Sequence, residues 1–242
     1  DERGWGLDGD NFDAMAELRA AGEDVWFDLG DEDLALCRDR ADRLAAGERL
    51  TRCLLDQCRA YGTAATVLPM SDDPVRTVIV SEGHRIGLQE FLIRERGAAP
   101  IDRVLYEGSE SATATPEVLT AIADAELIVI GPSNPVLSIG PILAIGEIHD
   151  AIRQAAAPVL AVSPIVGGRV LKGPTAACMA AIGLPATGSG VANHYGPLLD
   201  GFVSDEPIDR DMPTLTCPTE LGQRVSRRAV AEAVFEFAGT LR

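Results

Sequence analysis

Apolar side chains recur at three- and four-residue spacing through the first quarter of the chain. Phe12, Met15, Ala16 and Leu18 share one side of a helix predicted over 10–21, which Asp10 or Asn11 can cap and Gly22 can stop. The same spacing returns from Asp31 to Tyr61 and breaks at Gly47, which predicts two helices joined by a turn. Beyond Ala64 the period changes. Thr66-Val67-Leu68, Thr77 to Val80 and Ile86 to Phe91 read as strands, the last two as a hairpin about Glu82-Gly83. Thr115-Pro116-Glu117 joins a cap residue, a proline for the first helical position and a first-turn acid, so a helix starts there and ends near Asp124.

Leu127 to Ile130 is a continuous apolar run, the pattern of a strand covered on both faces of a parallel sheet. A loop over 131–140 follows, then a helix from Pro141 with Ile145, Ile148 and Ile152 inward. The arrangement repeats in Val159 to Val162, a loop over 163–173 and a helix from Pro174 to Gly183. Two strand–loop–helix units in succession predict an α/β fold with a doubly wound, mainly parallel, Rossmann-like sheet. Residues 201–203 and 215–217 add strands, and an amphipathic helix closes the chain from about Glu220 to Leu241. The expected organisation is a single α/β domain over 1–242, with a helical portion over 1–63, a core over 64–242 and β-hairpin additions.

Composition narrows the partners. The chain has 242 residues and a net charge of −16, without the basic face that a nucleic-acid backbone requires. A small anionic substrate remains compatible, because backbone amides and a few cations can make one cleft locally positive. The five cysteines include no C-x-x-C pair and there are three histidines, so no zinc site is predicted. The cysteines fit a reducing cytoplasm, and no run of about 18 apolar residues predicts a membrane span.

In an open parallel sheet, ligands sit beyond the carboxyl ends of the strands, where loops enter helices. The loop over 131–140 offers Gly131, Ser133, Asn134 and Ser138 as a phosphate or nucleotide cradle. It has neither a Walker lysine nor a G-x-G-x-x-G pattern. The loop over 163–174 places Arg169 and Lys172 beside Gly167, Gly168 and Gly173 as phosphate partners or as solvated charges. Asp72 and Asp73 could hold a magnesium ion or orient a hydroxyl nucleophile, and Ser-Asp-Asp-Pro equally suits an ordinary turn. His194, before Tyr195, reads as a packed residue.

Taken together, Gly4-Trp5-Gly6, Leu29-Gly30-Asp31, Leu68 to Pro74, Gln89-Glu90-Phe91, Gly131 to Pro141, Ser163 to Gly167 and Gly173-Pro174 resemble the 2-phospho-L-lactate transferase family. Gly-Pro-Ser-Asn-Pro followed by Ser-Ile-Gly-Pro is the most specific of these signals, and only the part from about Asp205 is indistinct. The resemblance implies transfer of a phospholactyl or phosphoenolpyruvyl group from a guanosine diphosphate-linked donor to the ribityl hydroxyl of a deazaflavin precursor. GMP leaves, in the synthesis of coenzyme F420. It also implies Asp72 and Asp73 as catalytic and magnesium-binding residues and a homodimeric assembly. Ser163, Gly167, Arg169, Lys172, Gly140, Arg40 and Gln89 join the first loop as substrate residues. After Asp31 the family's usual basic residue and histidine are replaced by Glu32 and the residues that follow, whereas Arg40 matches a family arginine. The family begins with a strand, a glycine-rich loop and an aspartate-rich acceptor segment. Asp1-Glu2-Arg3 reads as the middle of such a protein, so these parts are expected upstream. The rival readings are a related sugar-nucleotide-binding regulatory protein and a shortened, inactive relative acting in assembly.

Overall fold

Two aspartates establish the first helices of the computed structural model, which describes residues 9–222 and 224–241. The Gly4-Trp5-Gly6 motif lies outside the described residues. Helix α1 spans Asp13–Ala20 and α2 spans Asp31–Ala45. Asp31 accepts from the Ala14 N–H at 3.0 Å at the start of α1, while Asp10 accepts from the Glu32 and Asp33 N–H groups at the start of α2. Each helix therefore has its free amides met by a carboxylate from beside the other. Gly22 and Gly47 adopt the positive φ that ends α1 and α2, as expected. Helix α3 spans Leu50–Ala60, and Arg43 ties α2 to it through Asp56 and to the intervening loop through Glu48.

The chain divides into two compact units, 1–72 and 73–242, a boundary within the Ser-Asp-Asp-Pro segment. In the first unit the expected strand Thr66-Val67-Leu68 is absent. No strand pairs with it among the described residues and Val67 is exposed, so a β-branched run without a ladder stays a loop.

The second unit opens with β1 (Arg76–Ser81) and β2 (His84–Gly87), antiparallel about a Glu82-Gly83 turn with both φ values positive. Residues Leu88 to Phe91, expected to extend β2, instead form helix α4 (Leu88–Ile93). Extended Gly87 starts the helix, and burial of Phe91 anchors it. Strand β3 (Arg103–Glu107), which the pattern did not predict, pairs with the other side of β1 in the order β2-β1-β3. Helix α5 (Pro116–Ala123) begins where expected, with the Thr115 hydroxyl accepting from the Val118 N–H.

Strand β4 (Ile128–Ile130) leads into a π-helical turn, Pro135–Ile139, then α6 (Gly140–Leu143) and α7 (Gly146–Gln154). One helix was expected here. The chain instead bends by 86° between Pro135–Leu143 and Gly146–Gln154, and Ile145, Ile148 and Ile152 are buried as predicted. No single described helix is long and apolar enough to cross a membrane; this bent pair passes that test only when taken together.

Strand β5 (Val159–Val162) is followed by a hairpin of β6 (Ile165–Val166) and β7 (Arg169–Val170), then by α8 (Thr175–Ala181). Helix α9 (Gly188–Tyr195), strands β8 (Gly201–Ser204) and β9 (Thr214–Thr216) and helix α10 (Arg224–Gly239) complete the fold. The main sheet is parallel, in the order β4-β5-β8-β9. Every residue of β5 and β8 is buried, as a sheet covered on both faces requires. Leu160, Val162 and Val203 pack against Val230, Val234 and Ala238 of α10, while Ala161 and Phe202 point to the opposite face. Gly201 permits this closeness, since a side chain there would meet Leu160 at 2.8 Å.

Candidate functional site

Strands β4 and β5 run parallel, so the loops leaving their carboxyl ends emerge side by side. Together with α4, α8 and the segment after β9 they line a cleft of about 490 Å³. Five of the residues singled out in the sequence meet there: Ser133, Asn134, Ser138, Ser163 and Lys172. Lys172 is the one charged side chain among the described lining residues, and no carboxylate accompanies it. In a chain of net charge −16, the lining thus offers an anion one cation.

The first loop is held by its own hydrogen bonds. The Asn134 side-chain oxygen accepts from the Val136 and Leu137 N–H groups, both at 2.9 Å, and its amide donates to the Thr175 hydroxyl at 3.2 Å. Asn134 therefore caps the π-helical turn and ties it to the start of α8 while also lining the cleft. The Tyr106 hydroxyl donates to the Val136 carbonyl at 2.5 Å from behind. Burial pushes that phenol up to about 12. Gly140 is required by this contact, because a Cβ there would overlap the Tyr106 hydroxyl and crowd the Pro135 carbonyl. His194 is packed on the same turn, as read from the sequence. Burial holds its imidazole below the ordinary 6.5, partly offset by the Pro135 backbone.

The second loop is built on a hairpin. Gly167 and Gly168 both take positive φ at its tip, and the Gly167 N–H donates to Asp205 at 2.5 Å. At its base the Ser163 hydroxyl accepts from the Ile165 N–H at 3.1 Å and donates to the Ile165 carbonyl at 3.2 Å. This leaves Lys172 on the short link between β7 and α8, next to Gly173, whose φ is also positive.

Other expected residues stand apart from the cleft lining. Gly131, Gly140 and Gly167 shape the loops without forming its walls, and Arg169 and Gln89 are exposed and outside the lining. Arg40 belongs to the first unit, where it donates to the Gln57 side-chain oxygen at 3.3 Å and to the Cys37 sulfur at 3.4 Å.

Asp72 and Asp73 have separate engagements. Asp72 accepts from the Thr51 N–H at 2.7 Å, the Thr51 hydroxyl at 2.8 Å and the Arg49 guanidinium at 2.6 Å. Burial alone would raise its carboxyl, but these donors hold it below its ordinary value of 3.8. Asp73 accepts from the Thr113 N–H at 3.0 Å and its hydroxyl at 3.2 Å. Both carboxylates act as staples to distant residues, Asp72 to the start of α3 and Asp73 to the segment before α5. An arginine and a helix start already share the Asp72 oxygens, so the donor set does not fit magnesium, and no group of three or more candidate ligands occurs among the described residues.

The sequence pattern missed the apolar walls, formed by Leu88 and Leu92 of α4, Leu137, Val166, Leu171 and Leu221. It also missed Thr175 and Thr219. The leucine pair at helical spacing in α4 was the available signal for the first wall.

The family model for "2-phospho-L-lactate transferase CofD" matches residues 8–216. A phosphoenolpyruvate transferase of Mycobacterium avium is 41% identical over 202 residues, covering 81% of this chain and 60% of the relative. A phosphoenolpyruvate transferase of Kitasatospora aureofaciens is 35% identical over 252 residues, covering 96% and 78%. Against the mycobacterial relative, the chain thus spans about three fifths of the relative's length. A crystal structure of a Bacillus halodurans protein, a member of the upf0052 family, superposes with a TM-score of 0.61 at 19% identity, covering 86% of this chain and 72% of the other, and shares the fold.

Proposed function

From the premise that the chain belongs to the 2-phospho-L-lactate transferase family, we propose that it transfers a phosphorylated three-carbon acid in coenzyme F420 synthesis. The donor is a guanosine diphosphate-linked phospholactyl or phosphoenolpyruvyl group, and the acceptor is the ribityl hydroxyl of the deazaflavin precursor. The acceptor oxygen bonds to the phosphorus that carries the three-carbon unit, the phosphoanhydride bond breaks, and GMP leaves while the hydroxyl proton passes to solvent or a base. The observation that carries this reading is the cleft at the ends of β4 and β5, with Lys172 as the one charge among its described lining residues.

Lys172 lies where it can neutralise a phosphoryl oxygen, and the Ser133 and Ser138 hydroxyls can hydrogen-bond others. The leucine walls suit the flat, apolar faces of a base or a deazaflavin. Holding donor and acceptor in one apolar slot contributes through proximity, the main need of a phosphoryl transfer. Magnesium, part of the same reading, receives no ligands from Asp72 or Asp73, and no step is assigned to it. Homodimeric assembly also belongs to the proposal, as an expectation from the family.

The test is acceptor-dependent release of GMP from the guanylylated phosphoenolpyruvate and phospholactate donors, followed by chromatography. Release that requires the deazaflavin supports the reading. Tight nucleotide binding without release would favour a regulatory binding protein instead.

A further inference from the structure

Thr219 combines two properties that rarely coexist. It forms part of the cleft wall, yet the residue is 2% exposed and its hydroxyl oxygen has no hydrogen-bond partner. Buried hydroxyls in folded proteins are almost always satisfied, because one without a partner loses its hydration for nothing. A hydroxyl left unmatched at the edge of a ligand cleft is explained if the ligand supplies its partner. The residue follows β9, beyond the 8–216 span of the family match, in a segment that also contributes Leu221 and Gly222 to the wall. That segment is fixed at its start by the Cys217 N–H donating to the Ser204 carbonyl at 3.0 Å.

The surroundings indicate which part of a ligand it meets. Lys172, Ser133 and Ser138 provide for an anionic end, whereas Leu221, two residues from Thr219, belongs to the apolar walls that would grip a ring. A threonine hydroxyl both donates and accepts, and so matches the adjacent carbonyl and N–H of a lactam edge. Resting on the function proposed above, we infer that Thr219 is a specificity-determining residue whose hydroxyl hydrogen-bonds the lactam edge of a planar heteroaromatic ring seated on the leucine walls. Both the guanine of the donor and the pyrimidinedione of the deazaflavin carry such an edge. A ring without it would leave the hydroxyl unpaired and be rejected.

Thr219→Val keeps the shape and removes the hydroxyl, and Thr219→Ser restores it. Calorimetric titration of each variant with GDP and, separately, with the deazaflavin precursor identifies the source of the ring. The expected result is that Thr219→Val weakens one of the two by about tenfold, as for one lost hydrogen bond, while Thr219→Ser stays within about threefold of wild type. The melting temperature of ligand-free Thr219→Val should equal or exceed that of wild type, since no internal bond is removed. Wild-type affinity of Thr219→Val for both ligands overturns the inference alone. Weaker binding accompanied by a lower melting temperature also overturns it, by making the hydroxyl structural. A wild-type chain that binds neither ligand removes the proposed function and the inference with it.

Discussion

The loops after β4 and β5 share a composition of serine, proline and glycine between a parallel strand and a helix, yet they use their polar groups in opposite ways. The first turns inward: Asn134 closes on Val136 and Leu137, Tyr106 bonds the Val136 carbonyl, and Gly140 exists to let the two meet. The second turns outward, with its hairpin secured at the Gly167 tip by Asp205 and at the base by Ser163, so that Lys172 stays exposed at the cleft. Rigidity and charge are thus divided between two neighbouring loops. A mutation in the first should act through stability, and one in the second through binding.

The largest expected effect is that of Gly140→Val. The added side chain must displace the Tyr106 ring, combining overpacking with a lost hydrogen bond at about 3 kcal/mol, or a fall in melting temperature of roughly 6 to 12 °C by calorimetry. An unchanged melting temperature would mean that the first loop is not locked as described. Next is Lys172→Met, which should weaken GDP binding by roughly 30-fold, about 2 kcal/mol for a charge-assisted contact, without altering the melting temperature. Arg169→Met, outside the lining, is the reference and should stay within about threefold. Equal losses at both positions would erase the distinction drawn for the second loop.

Asn134→Ala is the smallest and the most discriminating change. It should cost about 1 kcal/mol of stability by removing a cap, and weaken GDP binding about tenfold because the cradle loosens. Asn134→Asp keeps the accepting oxygen and should recover most of the stability. Binding lost with stability intact would turn Asn134 from a positioning residue into a direct ligand contact, and blur the contrast between the loops.

The parallel half of the fold was legible because β4 and β5 are continuous apolar runs, and Thr115-Pro116 marks its helix through local capping chemistry; β4, however, lies at the end of the sheet order with Val129 exposed, not covered on both faces as its run suggested. Failures occurred where distant residues decide the outcome. Leu88 to Ile93 is as apolar as a strand, and only the burial of Phe91 selects a helix; β3 is short and is recognisable mainly through its pairing with β1. The π-helical turn has the proline and serine content of a loop, and Asn134 organises it with amides that no sequence period reveals. In the cleft, the serines and Lys172 were visible as clusters within two loops. Thr219 and the leucines of α4 come from separate parts of the chain, and nothing local to either announces that the fold brings them to one surface.

The paired aspartates at the starts of α1 and α2 have a consequence for how the first unit comes apart. Helix α2 buries no side chain, and the buried residues of the three helices are Met15, Thr51 and Cys53, so order there leans on carboxylates meeting amides and guanidinium groups. Such contacts are individually weak and fade with salt, unlike the apolar seam between β5, β8 and α10. Hydrogen bonds from the Glu32 N–H and its neighbours hold the Asp10 carboxyl below its usual 3.8. Its contribution is therefore complete above that value and is lost as acid carries the pH down through the native one. Protonating Asp10 therefore loosens α2 at its first turn. The helical unit is in this sense a clasp whose hook at the start of α2 acid opens, while the parallel sheet rests chiefly on the buried hydrocarbon between β5, β8 and α10.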